Sequence, residues 1–329
     1  MLKRLSAAVL GAVLIGSALA GCGGSDEGSG GDTGSGSDKL VLGFSQVGAE
    51  SGWRTANTKS IQEAAAAAGF ELKFNDAQGK QENQITAIRG FITQKVDVIA
   101  FSPVVVSGWD AVLKEAKDAG IPVILTDRAV DAQDTSLYAS FIGSDFVEEG
   151  KKAGQWLVDQ YQGKTETVNI VELQGTTGSA PALDRQKGFA EVIKSNPNLK
   201  VVKSQTGDFK RADGKTVMET FLQSTPDIDV LYAHNDDMGL GAIEAIEAAG
   251  KKPGTDIKII TVDAVKDGMQ ALADGKINFI VECSPLLGPQ LMELAKAVDA
   301  GQTVEKRVLT KETTFTQEQA KTELPNRQY

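Results

Sequence analysis

The 329-residue sequence predicts an α/β protein of two halves, each a mostly parallel sheet covered by helices. Its length suits two domains at roughly 100–200 residues apiece. Short apolar or β-branched runs alternate with helical patterns, and this rhythm, which favours parallel sheets joined by right-handed crossovers, occurs in both halves. Apolar residues make up 41% and charged residues 24%, enough for an ordinary core and too little bias for wholesale disorder.

Residues 1–21 are a different material. Lys3 and Arg4 precede an apolar stretch from Leu5 to Leu19, and small residues lead to Cys22, the pattern of an export signal. Ser6, Gly11, Gly16 and Ser17 interrupt the run, which falls short of the roughly 18–20 apolar residues that a spanning helix requires. Leu19-Ala20-Gly21-Cys22 resembles the lipobox of bacterial lipoproteins, whose cysteine is lipidated and becomes the mature N-terminus. A plain secretory signal with an incidental Cys fits less well, because residues 23–38, almost entirely Gly, Ser, Asp, Glu and Thr, read as a flexible tether. If Cys22 carries lipid, Cys283 has no partner and no intrachain disulfide forms.

The fold is expected to start near Lys39. Strands are predicted at Leu40 to Phe44, Glu71 to Asn75, Val96 to Phe101, Pro122 to Thr126 and Leu137 to Ile142 in the first half. In the second half they fall near Thr167 to Leu173, Lys200 to Ser204, Asp229 to Ala233, Lys258 to Val262 and Asn278 to Val281. Helices are predicted at Thr55 to Ala68, closed by Gly69, at Glu82 to Gln94, where Ile85, Ile88, Phe91 and Ile92 share a face, and at Trp109 to Ala119, closed by Gly120. Further helices fall near Asp184 to Ser195, Arg211 to Gln223, Met238 to Ala249 and Val265 to Ala273.

Open parallel sheets bind ligands beyond the carboxyl ends of their strands, so function should be read just after each strand. The first strand leads into Ser45 through Arg54, and the fourth into Asp127-Arg128. Second-half strands lead into Gln174-Gly175-Thr176, His234-Asn235-Asp236-Asp237, Asp263 and Glu282. Carboxylates (Asp127, Asp263, Glu282), guanidinium forks (Arg54, Arg128, Arg185), an amide (Asn235) and an indole (Trp53) suit the paired hydroxyls and C–H face of a neutral polyhydroxylated ligand. Each has a plainer reading. Asp127-Arg128 could be a surface pair, Trp53 a satellite-core residue, and Asp236 or Asp237 the cap of the helix near Met238, which leaves Asn235 as the better ligand.

Thirty-four Lys and Arg against 44 Asp and Glu give a net charge of −10, which excludes a nucleic-acid partner. Gly214-Lys215-Thr216 looks like the end of a phosphate loop, but Phe209 stands where its leading glycine belongs. Gly43-Phe44-Ser45-Gln46-Val47 lacks the closing glycine of a nucleophile elbow. His234 is the sole histidine, which excludes multi-histidine metal sites, and it reads as a neutral residue ending a strand rather than a triad base. Cys283, after a strand-like run, reads as a small buried apolar residue. No catalytic residue, cofactor or metal is expected.

Glu50-Ser51-Gly52-Trp53-Arg54, Lys80-Gln81-Glu82-Asn83-Gln84, Val171-Glu172-Leu173-Gln174-Gly175-Thr176, Asp184-Arg185 and Tyr232 through Met238 together resemble the sugar-binding proteins of ABC importers, the ribose-binding-like type I periplasmic binding proteins, and most of all their galactofuranose-binding members. The resemblance spans nearly the whole chain after the tether. It implies two lobes joined by a three-segment hinge, residues 39–144 with 283–312 and residues 145–282 with 313–329. It also implies a monosaccharide, galactofuranose by preference, held between Glu50, Ser51, Gly52, Trp53, Arg54, Asp127 and Arg128 of one lobe and Arg185, Asn235, Asp263 and Glu282 of the other, with Asp208 and Phe209 near a further contact loop. A membrane permease is the implied partner, and an extracytoplasmic monomer, held at the membrane through Cys22, the implied form. Alanine at Asp127 or Asn235 should then abolish binding while leaving the melting temperature of the sugar-free protein nearly unchanged.

Three rivals stand beside this reading. The same fold could serve another pentose or hexose for transport or sensing, a surface glycosidase could use Asp127 and Glu282 as its carboxylate pair, and a transcriptional regulator could share the core, although the export signal and the absence of room for a DNA-binding domain before Lys39 oppose it.

Overall fold

The computed structural model describes residues 39–329, so the expected export signal, Cys22 and the tether lie outside the described residues. The chain builds two six-stranded sheets. The first contains β1 (Val41–Gln46), β2 (Glu71–Asp76), β3 (Val98–Phe101), β4 (Val123–Thr126), β5 (Ser140–Gly143) and β11 (Arg307–Leu309), in the order β11-β5-β4-β3-β1-β2. The second contains β6 (Val168–Gln174), β7 (Leu199–Thr206), β8 (Val230–Ala233), β9 (Lys258–Asp263), β10 (Phe279–Glu282) and β12 (Thr314–Phe315), in the order β12-β10-β9-β8-β6-β7. Every pairing is parallel except β10 with β12.

The central strands β3 (VIAF), β4 (VILT) and β8 (VLYA) are buried along their whole length, as continuous apolar runs must be when helices cover both faces of a sheet. Helices α1 (Gly52–Ala67), α2 (Gln81–Thr93) and α3 (Asp110–Asp118) follow the first three strands. In the second lobe α4 (Phe146–Gln160), α5 (Ala180–Ile193), α6 (Arg211–Ser224), α7 (Asp236–Ala248) and α8 (Lys266–Ala273) alternate with strands, and α9 (Gly288–Asp299) and α10 (Gln317–Glu323) complete the fold. The edge strand β7 is exposed from Lys200 to Gln205, and Lys200 and Lys203 guard it against pairing with another chain.

Three helices, α4, α9 and α10, lie outside the elements expected from the sequence. Gly150 and Gly154 of α4 are notches for α5. A Cβ at Gly150 would lie 2.2 Å from the Arg185 carbonyl, and one at Gly188 would lie 2.0 Å from that of Val147. Gly288 opens α9 in the same way, 2.1 Å from the Ser60 carbonyl on α1. Leu137 belongs to a 3₁₀ turn (Thr135–Leu137), so the fifth strand begins only at Ser140.

The chain passes between the sheets three times, at residues 144–145, at 283–287 and at 310–313. Glu312 ties these passages together: its Oε1 accepts from Ser144 Oγ (2.5 Å), Thr310 Oγ1 (2.7 Å) and the Ser284 N–H (3.0 Å). Among the described residues no helix is long and apolar enough to cross a membrane.

Candidate functional site

The carboxyl ends of both sheets face one another across a cavity lined from both lobes. Its first-lobe wall is an ionic network. Ser51 caps α1 by accepting the Arg54 N–H, so the helix starts three residues earlier than its apolar pattern suggests and carries Trp53 and Arg54 in its first turn. Arg54, 2% exposed, sends Nε to Glu50 Oε1 (3.1 Å), Nη1 to Gln46 Oε1 (3.1 Å) and Nη2 to Asp127 Oδ2 (2.7 Å).

Asp127 follows β4 in the left-handed region, at φ +60°, with its N–H held by the Ile142 carbonyl (2.7 Å). Gly143 leaves space for that turn, since a Cβ there would meet the Asp127 carbonyl at 2.7 Å. Arg128 lies 3.5 Å from Glu50 Oε1 and 3.6 Å from Asp127 Oδ2. Burial would raise the Glu50 pKa, but the two guanidiniums outweigh it and hold the carboxylate below its usual range. Burial and the nearby Arg54 bring Arg128 down to about 10, still charged at neutral pH. Glu50 Oε2 and Arg128 Nε are buried without a partner, one acceptor and one donor left over in the same wall.

The second-lobe wall is centred on Arg185 of α5. Its Nε meets Glu149 Oε2 at 2.7 Å, Nη1 donates to the His234 carbonyl (2.5 Å), and Nη2 lies 3.9 Å from Asp263 Oδ1. Asp263 ends β9 at φ +120°, and burial pushes its carboxyl well up, reinforced by Asp236 and Glu149 against the pull of Arg185. Asn235 Oδ1 caps α7 at the Met238 N–H (3.0 Å), and its Nδ2 holds the Phe209 carbonyl (3.1 Å). The cap is therefore Asn235 itself, not Asp236 or Asp237, and much of its amide is already used by the protein. Gly175 makes room for Phe209, whose Cζ would be 1.8 Å from a Cβ at that position.

The lobes touch. Arg128 Cζ lies 5.2 Å from the Phe209 ring centre, the Gly52 N–H donates to Asp237 Oδ2 (2.8 Å), and the Val106 N–H donates to the Gly178 carbonyl (2.9 Å). Of the residues singled out from sequence, Glu50, Ser51, Trp53, Arg54, Asp127, Arg128, Arg185, Phe209, Asn235 and Asp263 line this cavity, and Gly52, Asp208 and Glu282 do not. Gly52 offers its N–H to Asp237 instead. Glu282 points away: its Oε1 accepts from Arg327 Nη1 (2.8 Å) and the Tyr329 hydroxyl (3.2 Å), and its Oε2 from the Thr313 N–H (3.2 Å). Strand side chains alternate, so the wall position falls to the next residue, Cys283. The pair Asp127 and Glu282 that a glycosidase would need is thus not assembled.

Pro181 and Cys283 line the cavity without having been anticipated, since neither carries a polar signal at a strand end. Trp53 is both wall and tie, its Nε1 donating to the Cys283 carbonyl (2.7 Å). Burial pushes the Cys283 thiol well up, which makes it a poor nucleophile. His234 is fully buried, its Nε2 is 3.1 Å from Glu172 Oε1, and burial lowers its pKa, so the ring is neutral. Ser204 bonds to Glu172, and His234 Nδ1 has no hydrogen-bond partner, so among the described residues no triad is assembled on this ring. Gly214-Lys215-Thr216 lies inside α6, with Gly214 packed 2.6 Å (as a Cβ) from Met238 Cα.

Glu149, behind Arg185, gives the site a pH signature. Burial, with Glu312 adding to it against Arg185, pushes its pKa from 4.5 up to about 8. A carboxyl raised in the folded state holds a proton that the unfolded chain has released, so its stabilisation is complete below pH 4.5 and is lost as pH rises through about 8. The melting temperature of the sugar-free protein is therefore expected to fall between pH 5 and pH 9, and Glu149→Gln, which has no proton to lose, should flatten that slope in a thermal melt series. An unchanged slope would place the titration elsewhere.

Comparison with known proteins decides the family. Residues 42–303 match a periplasmic binding protein domain. The chain belongs to the periplasmic binding proteins. Within that family it is 50% identical to the galactofuranose-binding protein YtfQ of Escherichia coli strain K12, over 87% of this chain and 90% of the relative. A crystal structure from Mycobacterium smegmatis in complex with β-D-fucofuranose is 71% identical, with a TM-score of 0.87 over 88% of this chain and 95% of that one. The binding protein of the arabinose ABC transporter from Shewanella sp. ANA-3, bound to α- and β-L-arabinofuranose, is 50% identical, with a TM-score of 0.84 over 88% and 95% of the two chains. The two lobes are those of the type I periplasmic-binding-protein fold, and this solute-binding protein, like its relatives, is not an enzyme.

Proposed function

We propose that this chain is the extracytoplasmic sugar-binding component of an ABC importer and that its cavity takes a monosaccharide in the furanose form, galactofuranose or a close analogue. The observation that carries the reading is that Glu50 Oε2 and Arg128 Nε, an acceptor and a donor of one charged wall, are buried without a hydrogen-bond partner. A sugar hydroxyl both donates and accepts, so adjacent hydroxyls can serve both atoms at once without bringing net charge into the site. Fucofuranose and arabinofuranose in structures 71% and 50% identical to this chain, and the galactofuranose-binding relative, support the ring form.

The lobes, residues 39–144 with 283–312 and residues 145–282 with 313–329, close about the three passages gathered by Glu312, so sugar shifts the population toward the closed form presented to a permease. The lipid anchor on Cys22 and a monomeric state complete the proposal. Protein incubated with isotope-labelled galactose, whose furanose and pyranose forms interconvert in solution, should hold the furanose form alone, identified from the anomeric carbon shift of the bound sugar by NMR. Bound pyranose alone would move the ligand to another sugar class.

A further inference from the structure

Asp263 and Ala264 are consecutive non-glycine residues at φ +120° and +66°, a strained pair at the end of β9 that positions one carboxylate of the cavity. Such strain persists only where neighbours over-determine it, and four polar backbone groups around this turn are held by three other segments. The Asp263 carbonyl accepts the Cys283 N–H (3.2 Å), and the Val265 N–H donates to Asp236 Oδ2 (2.8 Å). The Ala264 carbonyl accepts Arg327 Nε (3.0 Å), and the Lys266 N–H donates to the Tyr329 carbonyl (2.7 Å).

Arg327 also sends Nη1 to Glu282 Oε1 (2.8 Å), whose other oxygen takes the Thr313 N–H in the third passage between lobes. Its guanidinium carbon lies 4.4 Å from the Tyr329 ring centre and 5.2 Å from that of Phe315, and Nη2 donates to the Tyr329 hydroxyl. One side chain thus joins the strained turn, through Glu282, to the third passage between the lobes while standing outside the cavity.

We propose that Arg327 is a positioning residue for sugar binding: it fixes the Asp263 turn and couples that turn to the hinge through Glu282. This explains why Glu282, at a strand end, serves the site without touching its ligand. The inference rests on the sugar-binding reading above, and its test separates the two.

Furanose affinity is measured for wild type, Arg327→Ala, Asp263→Asn and the double variant, with amide exchange at Val265 and Lys266 followed in the sugar-free proteins. Arg327→Ala is expected to weaken binding at least about tenfold in wild type and under about twofold in the Asp263→Asn background, the signature of coupled residues. Exchange at Val265 and Lys266 should speed up about tenfold as the turn loosens. Arg327→Lys, which keeps one donor, should recover part of both effects and serves in place of the alanine variant if that one fails to fold. Equal loss of affinity in both backgrounds, or unchanged exchange, overturns the proposal. If wild type binds no furanose, the sugar reading fails by itself and the exchange experiment alone decides whether Arg327 holds the turn.

Discussion

Asp127→Asn is expected to weaken furanose binding by about 1,000-fold, equivalent to about 4 kcal/mol and within the range for removing one member of a buried, hydrogen-bonded charge pair. Asp127 Oδ2 accepts from Arg54 Nη2 (2.7 Å) and Ser102 Oγ (3.0 Å), so its loss leaves two buried arginines to share Glu50. Asn tolerates the left-handed backbone at φ +60°, which confines the change to charge. The sugar-free protein should lose about 1.5–3 kcal/mol as well, the contribution of a hydrogen bond to a charged group. That corrects the expectation of an unchanged melting temperature: the binding wall is also part of the fold. The same holds for Asn235, whose removal takes away the α7 cap, a loss of about 1 kcal/mol. Titration and urea denaturation of one preparation check both numbers, and affinity within tenfold of wild type would remove Asp127 from the ligand shell.

Arg185→Ala should do more. Binding is expected to vanish at millimolar sugar, and stability to fall by about 1.5–3 kcal/mol, because truncation removes the hydrogen bonds of a charged group and leaves the buried Glu149 carboxyl and His234 carbonyl without their donor. Glu149, Asp263 and the His234 carbonyl all face that guanidinium, and the ring of Phe146 lies 5.1 Å from its Cζ. Substituting Glu149→Gln in the same protein should restore part of the stability and none of the binding. Unfolding curves that coincide with wild type would show that Arg185 is held less tightly than its geometry indicates.

Much of this was legible in the sequence. Alternating strands and helices announced parallel sheets, and the rule that ligands sit at strand ends located Asp127, Arg128, Asn235 and Asp263 without any knowledge of pairing. What escaped depends on contacts between distant segments. Glu149 acquires its role only because α4 lies against α5, an approach that Gly150 and Gly154 permit. Glu282 and Cys283 differ by one residue of strand register. Since β10 is apolar on both faces up to Val281, nothing local says which of the two turns toward the cavity. Arg327 lies 63 residues beyond the carbonyl it holds, a separation that no local signal spans.

Whether this cleft selects a furanose ring is tested most directly by calorimetric titration with methyl galactofuranoside and methyl galactopyranoside in parallel, because these rings, unlike those of free galactose, do not interconvert in water. The account predicts saturable one-to-one binding of the furanose at micromolar concentration or below, about 8 kcal/mol or more, with the pyranose at least about a hundredfold weaker. Equal affinity for the two ring forms, or no heat with either up to about 1 mM, roughly 4 kcal/mol, would contradict it.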